Sequence, residues 1–186
     1  TYEEVEATSD ILFYDLSIKG LLGGHSGMDI DSGRGNANKW MSRILWTISQ
    51  NIDLHLVSFD GGGLRNAIPR EAVCLVAVSG PKASDLLSCF NEMANTLKVE
   101  YKSIEPHIIF ECQESNQTGK VLSKGDFSKI INTLCSVHNG VYRMSPDIDG
   151  LVETSSSLAR VEIKDGTFIT QSLQRSSVDS TRDEVA

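Results

Sequence analysis

Leu21-Leu-Gly-Gly-His-Ser-Gly-Met-Asp-Ile-Asp-Ser-Gly-Arg-Gly-Asn-Ala-Asn-Lys39 separates two segments of different hydrophobic period. Ahead of it, Leu12, Tyr14, Leu16 and Ile18 alternate in steps of two, the pattern of a strand with one buried face. Behind it, Ala37, Trp40, Met41, Ile44, Leu45 and Ile48 recur at helical spacing. Asn36 or Asn38 supplies the cap that a helix start needs. The stretch is therefore a strand–loop–helix corner. Its five glycines allow turns and close approaches that a Cβ would block, and His25 sits among the first three. Such a ring stands either where a ligand can reach it or in a plain polar loop, and the residues alone leave both readings open.

Working outward, Leu54–Phe59 reads as a strand, and His55 within it as a solvent-face or packed residue. Asp60-Gly-Gly-Gly-Leu-Arg-Asn-Ala-Ile-Pro69 follows as a bend between antiparallel strands. Gly61–Gly63 lack the Gly-Lys-Ser/Thr and the following helix that a phosphate cradle requires. Ala72–Val78 is almost continuously apolar, as in a strand covered on both faces. A helix capped by Ser84 or Asp85 then carries Leu86, Leu87, Phe90, Met93, Ala94 and Leu97, and Pro106–Cys112 reads as a further strand. Strand, helix, strand, strand, helix, strand is the split βαβ order. The fold class is α+β: a two-layer sandwich of an antiparallel sheet with helices on one face. A ferredoxin-like unit spans residues 10–113, and a second, truncated α/β unit spans 121–186.

In that second unit, Phe127, Ile130, Ile131, Leu134 and Cys135 pattern a helix capped by Ser123 and stopped at Asn139-Gly140. Val141–Asp149 reads as a loop. Leu158–Ile163 and Thr167–Arg175 read as strands joined through Asp165-Gly166, a strong hairpin signal. Ser180 with Asp183 resembles an acidic capping box, so a helix begins as the sequence stops. That ending, and an opening Thr1-Tyr-Glu-Glu4 without Met, are expected of a piece cut from a longer protein.

Composition narrows the function classes. Lys and Arg number 17 against 25 Asp and Glu, giving a net charge of −8 without any basic run. Nucleic acid and anionic membrane are thereby poor partners. No apolar run approaches a bilayer span, and no secretory leader is visible. Cys74, Cys89, Cys112 and Cys135 each lie inside apolar patterns without a Cys-x-x-Cys pair, which reads as buried free thiols in a reducing, cytoplasmic compartment.

Candidate site residues are few. Trp40 falls in the apolar stripe and reads as core. Asn66 precedes Ile68-Pro69 with an amide able to donate and accept. Arg175 ends a row of two-residue steps with Ile169 and Leu173 that faces the core or a cleft. A buried guanidinium there needs a carboxylate partner or an open site. His25, Asp29 and Asp31 are the nearest approach to a metal-ligand cluster and make a loose one, and the four histidines are otherwise dispersed.

Gly23-Gly-His-Ser-Gly27 and Gly33-Arg-Gly-Asn-Ala-Asn-Lys39 resemble the aminoacyl-histidine (Xaa-His) dipeptidase branch of the zinc aminopeptidase and carboxypeptidase superfamily. Phe59–Ala72, Gly150-Leu-Val-Glu-Thr-Ser155 and Arg175-Ser-Ser-Val-Asp-Ser180 agree in order. The resemblance covers nearly the whole chain, but only one part of that family, the lid and dimerisation domain inserted into the catalytic domain. It implies a cytoplasmic metallodipeptidase whose Zn2+ pair is held by an absent catalytic domain and not by this segment. The segment alone is then inactive. It implies further that His25 stabilises the scissile carbonyl and its oxyanion, in trans across a homodimer. Asn66 would contact bound dipeptide, and Arg175 would clamp its C-terminal carboxylate. The rival reading is a stand-alone ferredoxin-like module that binds a small molecule or dimerises without catalysis.

Overall fold

A computed structural model describes residues 1–7 and 10–186. The elements run β1 (Glu4–Val5), β2 (Ile11–Lys19), β3 (Gly24–His25), α1 (Ala37–Ser49), β4 (His55–Gly61), β5 (Ala67–Ile68), β6 (Ala72–Ser79) and α2 (Ala83–Glu100). They continue with β7 (Ile109–Glu114), β8 (Val121–Leu122), α3 (Lys124–Ser136), β9 (Gly140–Met144), β10 (Val152–Lys164), β11 (Thr167–Ser176) and α4 (Asp179–Val185). The main sheet has the order β11-β10-β4-β6-β2-β7, with β9 on the outer part of β10 and every pair antiparallel. This is an α+β sandwich. The alternation in β2 explains its layering: Leu16 and Ile18 are fully buried in the same core as α1 and α2, while Asp15 and Lys19 are exposed.

The helix stripe reads true. Ala37, Trp40, Met41, Ile44, Leu45 and Ile48 are all buried. Asn36 caps α1, its Oδ1 accepting from the amides of Asn38 and Lys39 at 3.0 and 3.2 Å. Beyond residue 121 the chain adds to the existing layers. Strand β10 pairs with β4, and α3 packs beside α1. Lys39 fastens the two helices, its Nζ donating to the carbonyls of Leu134, Cys135 and Val137 at 2.7–2.8 Å. That charge satisfies carbonyls left over at the C-terminus of α3.

Several local expectations need correction. Helix α2 starts after a tight turn over Gly80–Lys82, with no side-chain cap from Ser84 or Asp85. Pro81, with φ preset and no N–H to satisfy, begins the helical path earlier. Ser123 does cap α3, donated to by the Asp126 amide, but the helix ends at Ser136, ahead of Asn139-Gly140. Val141–Asp149 is not all loop: its first part is β9, whose residues are mostly exposed and so lack alternation. Strand β10 begins at Val152, six residues before its apolar part, because Thr154–Ser157 are polar yet buried. Strand β7 is set later than Pro106–Cys112, at Ile109–Glu114.

At the hairpin, Asp165 and Gly166 have φ of 50° and 72°, a primed turn as the Asp-Gly pair requires. Helix α4 begins at Asp179 without the Ser180 capping box. Of the thiols, Cys74 is buried, Cys89 and Cys112 are half-buried, and Cys135 is exposed, against the expectation of four buried ones.

Candidate functional site

The glycine-rich stretch is a braced structure. Its ends are held by one carboxylate: Glu105, 2% exposed, accepts from the Leu22 amide at 2.8 Å and the Gly35 amide at 2.9 Å. Arg70 Nε donates to the Leu21 carbonyl at 3.0 Å. Between these anchors β3 pairs with β5, Gly24 opposite Ile68 and His25 opposite Ala67. The Ser26 amide extends this ribbon by donating to the Asn66 carbonyl at 2.9 Å. Asn66, exposed, is thus held beside His25 by backbone pairing.

His25 opens a turn that Asp29 closes. The Asp29 amide donates to the His25 carbonyl at 2.9 Å, and the His25 amide donates to Asp29 Oδ2 at 2.8 Å. Inside the turn, His25 Nδ1 accepts from the amides of Gly27 at 3.2 Å and Met28 at 3.1 Å. A ring whose Nδ1 takes two N–H donors carries its proton on Nε2. The outward edge of His25 is therefore a donor.

Arg175 meets that edge. It sits near the end of β11 opposite Ser155, and its Nη2 lies 3.5 Å from His25 Nε2. Both atoms bear hydrogen, so this approach is two donors converging rather than a hydrogen bond. No carboxylate lies within ion-pair reach of Arg175 among the described residues. Gly27 makes the approach possible: a Cβ there would stand 2.9 Å from Arg175 Cδ and 3.2 Å from His25 Cε1. The row containing Arg175 departs from its expected environment, since Ile169 is 41% exposed and Arg175 itself is exposed. It looks onto solvent and ends against the glycine turn, not in the core.

The site thus joins His25, Asn66 and Arg175 from three separated segments. Asp31 stays apart, and no three His, Cys, Asp or Glu side chains gather as a metal-holding group among the described residues. A cavity of about 410 Å3 near Gly62, Leu64, Ile68 and Arg70 is lined by none of the three site residues. Sequence reasoning passed over Glu105, Asp29 and Arg34 as supports. Glu105 lies in a turn after α2 with no periodic signal around it. Asp29 was legible as a member of a loose metal-ligand cluster with His25 and Asp31, and Arg34 only as a charge inside the loop.

No helix among the described residues is long and apolar enough to cross a membrane. Known proteins share this fold. Residues 16–105 match the family model described as a peptidase dimerisation domain. The chain is 38% identical over 173 residues to the cytosol non-specific dipeptidase of Escherichia coli (strain K12), covering 92% of this chain and 36% of that protein. Aminoacylhistidine dipeptidase from Vibrio alginolyticus superposes with a TM-score of 0.96 at 38% identity, over 99% of this chain and 38% of that one. The chain therefore spans little more than a third of the length of the relatives it matches.

Proposed function

We propose, from the match of residues 16–105 to the peptidase dimerisation domain family model, that the chain is the lid and dimerisation domain of a longer, metal-dependent dipeptidase. The observation that carries this reading is the convergence of His25 Nε2 and Arg175 Nη2 at 3.5 Å. Two donors facing one point, with no carboxylate of their own, suit a ligand with acceptor oxygens on adjacent groups. A dipeptide has these in its scissile carbonyl and its C-terminal carboxylate.

In this mechanism the planar guanidinium of Arg175 takes the carboxylate, bidentately where the pose allows. The Nε2–H of His25 donates to the carbonyl oxygen, and more strongly to the oxyanion that replaces it during attack. Asn66 orients the substrate from the neighbouring ribbon. Closure of the domain over the reacting centre excludes water. No three His, Cys, Asp or Glu side chains gather as a metal-holding group among the described residues; in this reading the zinc would be held by the remainder of the longer protein, and no step is assigned to it. A cytoplasmic setting, a homodimer and a preference for Xaa-His substrates complete the proposal. The name of the Escherichia coli relative, a cytosol non-specific dipeptidase, supports the first and not the last, and that of the Vibrio alginolyticus aminoacylhistidine dipeptidase supports the last.

The test uses the full-length protein with Ala-His and Ala-Ala as substrates. His25→Ala should lower kcat by about 10²–10³-fold, the cost of losing one oxyanion donor, at unchanged metal content. Loss of metal in proportion to activity would make His25 a ligand and sink the assignment. Equal turnover of the two dipeptides would remove the Xaa-His preference alone.

A further inference from the structure

The ring of His25 can be a useful donor only if its proton stays on Nε2, and the structure contains a device that selects this state. Gly27 and Met28 present their amides to Nδ1 only while the His25–Asp29 turn is closed. The turn is closed by Asp29 at both ends, through its amide to the His25 carbonyl and its Oδ2 to the His25 amide. Asp29 is fixed in turn by Arg34, whose Nη2 lies 3.1 Å from Oδ1 and whose Nη1 donates to the Gly23 carbonyl at 2.7 Å. Space for this pair comes from Gly24. With φ at +137°, a Cβ there would meet Arg34 Nη1 at 2.4 Å and Asp29 Oδ2 at 2.6 Å.

We propose that Asp29 and Arg34 form a positioning pair that fixes His25 as the Nε2–H tautomer and aims it at Arg175. Neither touches the reacting atoms in the proposed site. Both act through the turn, and the catalytic consequence rests on the dipeptidase reading above. Without the carboxylate, the His25 amide loses its acceptor and the turn can open. Nδ1 then competes with Nε2 for the proton, and the ring no longer meets substrate with a fixed donor.

The first measurement is independent of that reading. In the 186-residue chain, ¹⁵N NMR of the imidazole ring should show His25 with an unprotonated Nδ1 and a protonated Nε2. Asp29→Ala should bring in a substantial share of the other tautomer, while Asp29→Asn, which keeps an oxygen for the His25 amide, should restore most of the original state. A ring that remains wholly Nε2–H in D29A overturns the proposal. Should D29A fail to fold, Arg34→Met carries the same readout, and an unchanged tautomer there overturns the pairing.

Second, D29A in the full-length enzyme should lose about 10²-fold in kcat, the scale of a misplaced catalytic group, with KM moved far less and with recovery in D29N. A tautomer change with unaltered kcat would support the positioning role and overturn the catalytic reading beneath it.

Discussion

Glu105 offers a sharp energetic test of how the glycine stretch is held. Its carboxylate is 2% exposed and its two oxygens take separate backbone amides, Leu22 at 2.8 Å and Gly35 at 2.9 Å. Hydrogen bonds to a charged acceptor contribute about 1.5–3 kcal/mol each, and a buried donor left without a partner costs about 1–3 kcal/mol. Glu105→Ala removes both bonds from a site where Gly35 has no easy access to water, so a loss of about 3–5 kcal/mol is expected. Glu105→Gln keeps the shape and one acceptor but turns an NH2 toward an N–H, and should cost about 1–3 kcal/mol. Urea unfolding followed by the fluorescence of buried Trp40 reads both numbers. For a domain with a slope of about 2 kcal/mol per molar urea, the alanine midpoint should fall by about 2 M at unchanged slope. An alanine variant within about 0.5 kcal/mol of the parent, the range of an ordinary surface change, would refute the bracing argument. So would an alanine variant no worse than the glutamine one.

Gly62 has φ of +72°, and a Cβ there would stand 1.9 Å from the Ala159 carbonyl oxygen, so Gly62→Ala should cost about 2 kcal/mol or more by thermal or urea unfolding. Gly63→Ala, with nothing within 4 Å of its Cβ, should change stability by less than about 0.5 kcal/mol, and equal losses would refute the distinction. Burial pushes the Cys112 thiol up to about 11, and Cys74, fully buried, is raised well above the usual thiol value. At pH 8 only about one Cys112 in a thousand is thiolate, so mass spectrometry after iodoacetamide should show exposed Cys135 labelled first and Cys74 last. Arg43 holds the Glu100 carboxyl below its ordinary value, through contacts of 2.6 and 2.8 Å. The folded value lies under the unfolded one, so this contribution is complete above the ordinary carboxylate range and is lost as pH falls through the lowered value. Arg43→Met should flatten that part of the stability–pH curve, and an unchanged acid slope would count against the pair.

The hydrophobic pattern carried most of the fold because most of the fold is hydrophobic layering. Tyr14 to Ile18 in steps of two and Ala37 to Ile48 at helical spacing describe faces that are indeed buried, with Leu12 half-buried at the strand's start. Where burial and polarity part company, the pattern fails. Thr154, Ser155, Ser156 and Ser157 are all nearly inaccessible, and Thr154 settles its hydroxyl against Ser176 at 2.8 Å and Thr181 at 3.0 Å. No periodicity announces such a strand. Helix starts were misplaced for a related reason: local caps at Ser84 and Ser180 looked sufficient, but a Pro81 turn and the packing of α4 on β11 set the boundaries. At the site, His25, Asn66 and Arg175 were marked by type, glycine context and family resemblance. Their meeting was not legible, because it depends on β10–β11 pairing that brings residue 175 back across 150 positions to residue 25. The brace Glu105 belongs to the same class of long-range geometry, whereas Arg34 acts within the loop itself, on Asp29 and Gly23.

That return has a consequence for how a dimer would use the site. A single βαββαβ unit leaves the outer edge of β4 open, yet here β10 occupies it and α3 lies beside α1. The added elements belong to the same sheet that supports the β3–β5 ribbon, and they place Arg175 against His25 of its own chain. On the one-site reading proposed above, whichever catalytic domain receives His25 receives Arg175 with it. A trans arrangement, in which His25 acts across the dimer, moves both donors together rather than dividing them between partners. Mixed dimers of the full-length protein follow this logic directly. A dimer pairing a His25→Ala chain with an Arg175→Ala chain would have no site with both donors, whether the lid acts in cis or in trans. Activity near half of the parent dimer's would mean that the two residues serve different catalytic centres, and would undo the reading of their 3.5 Å approach as one site.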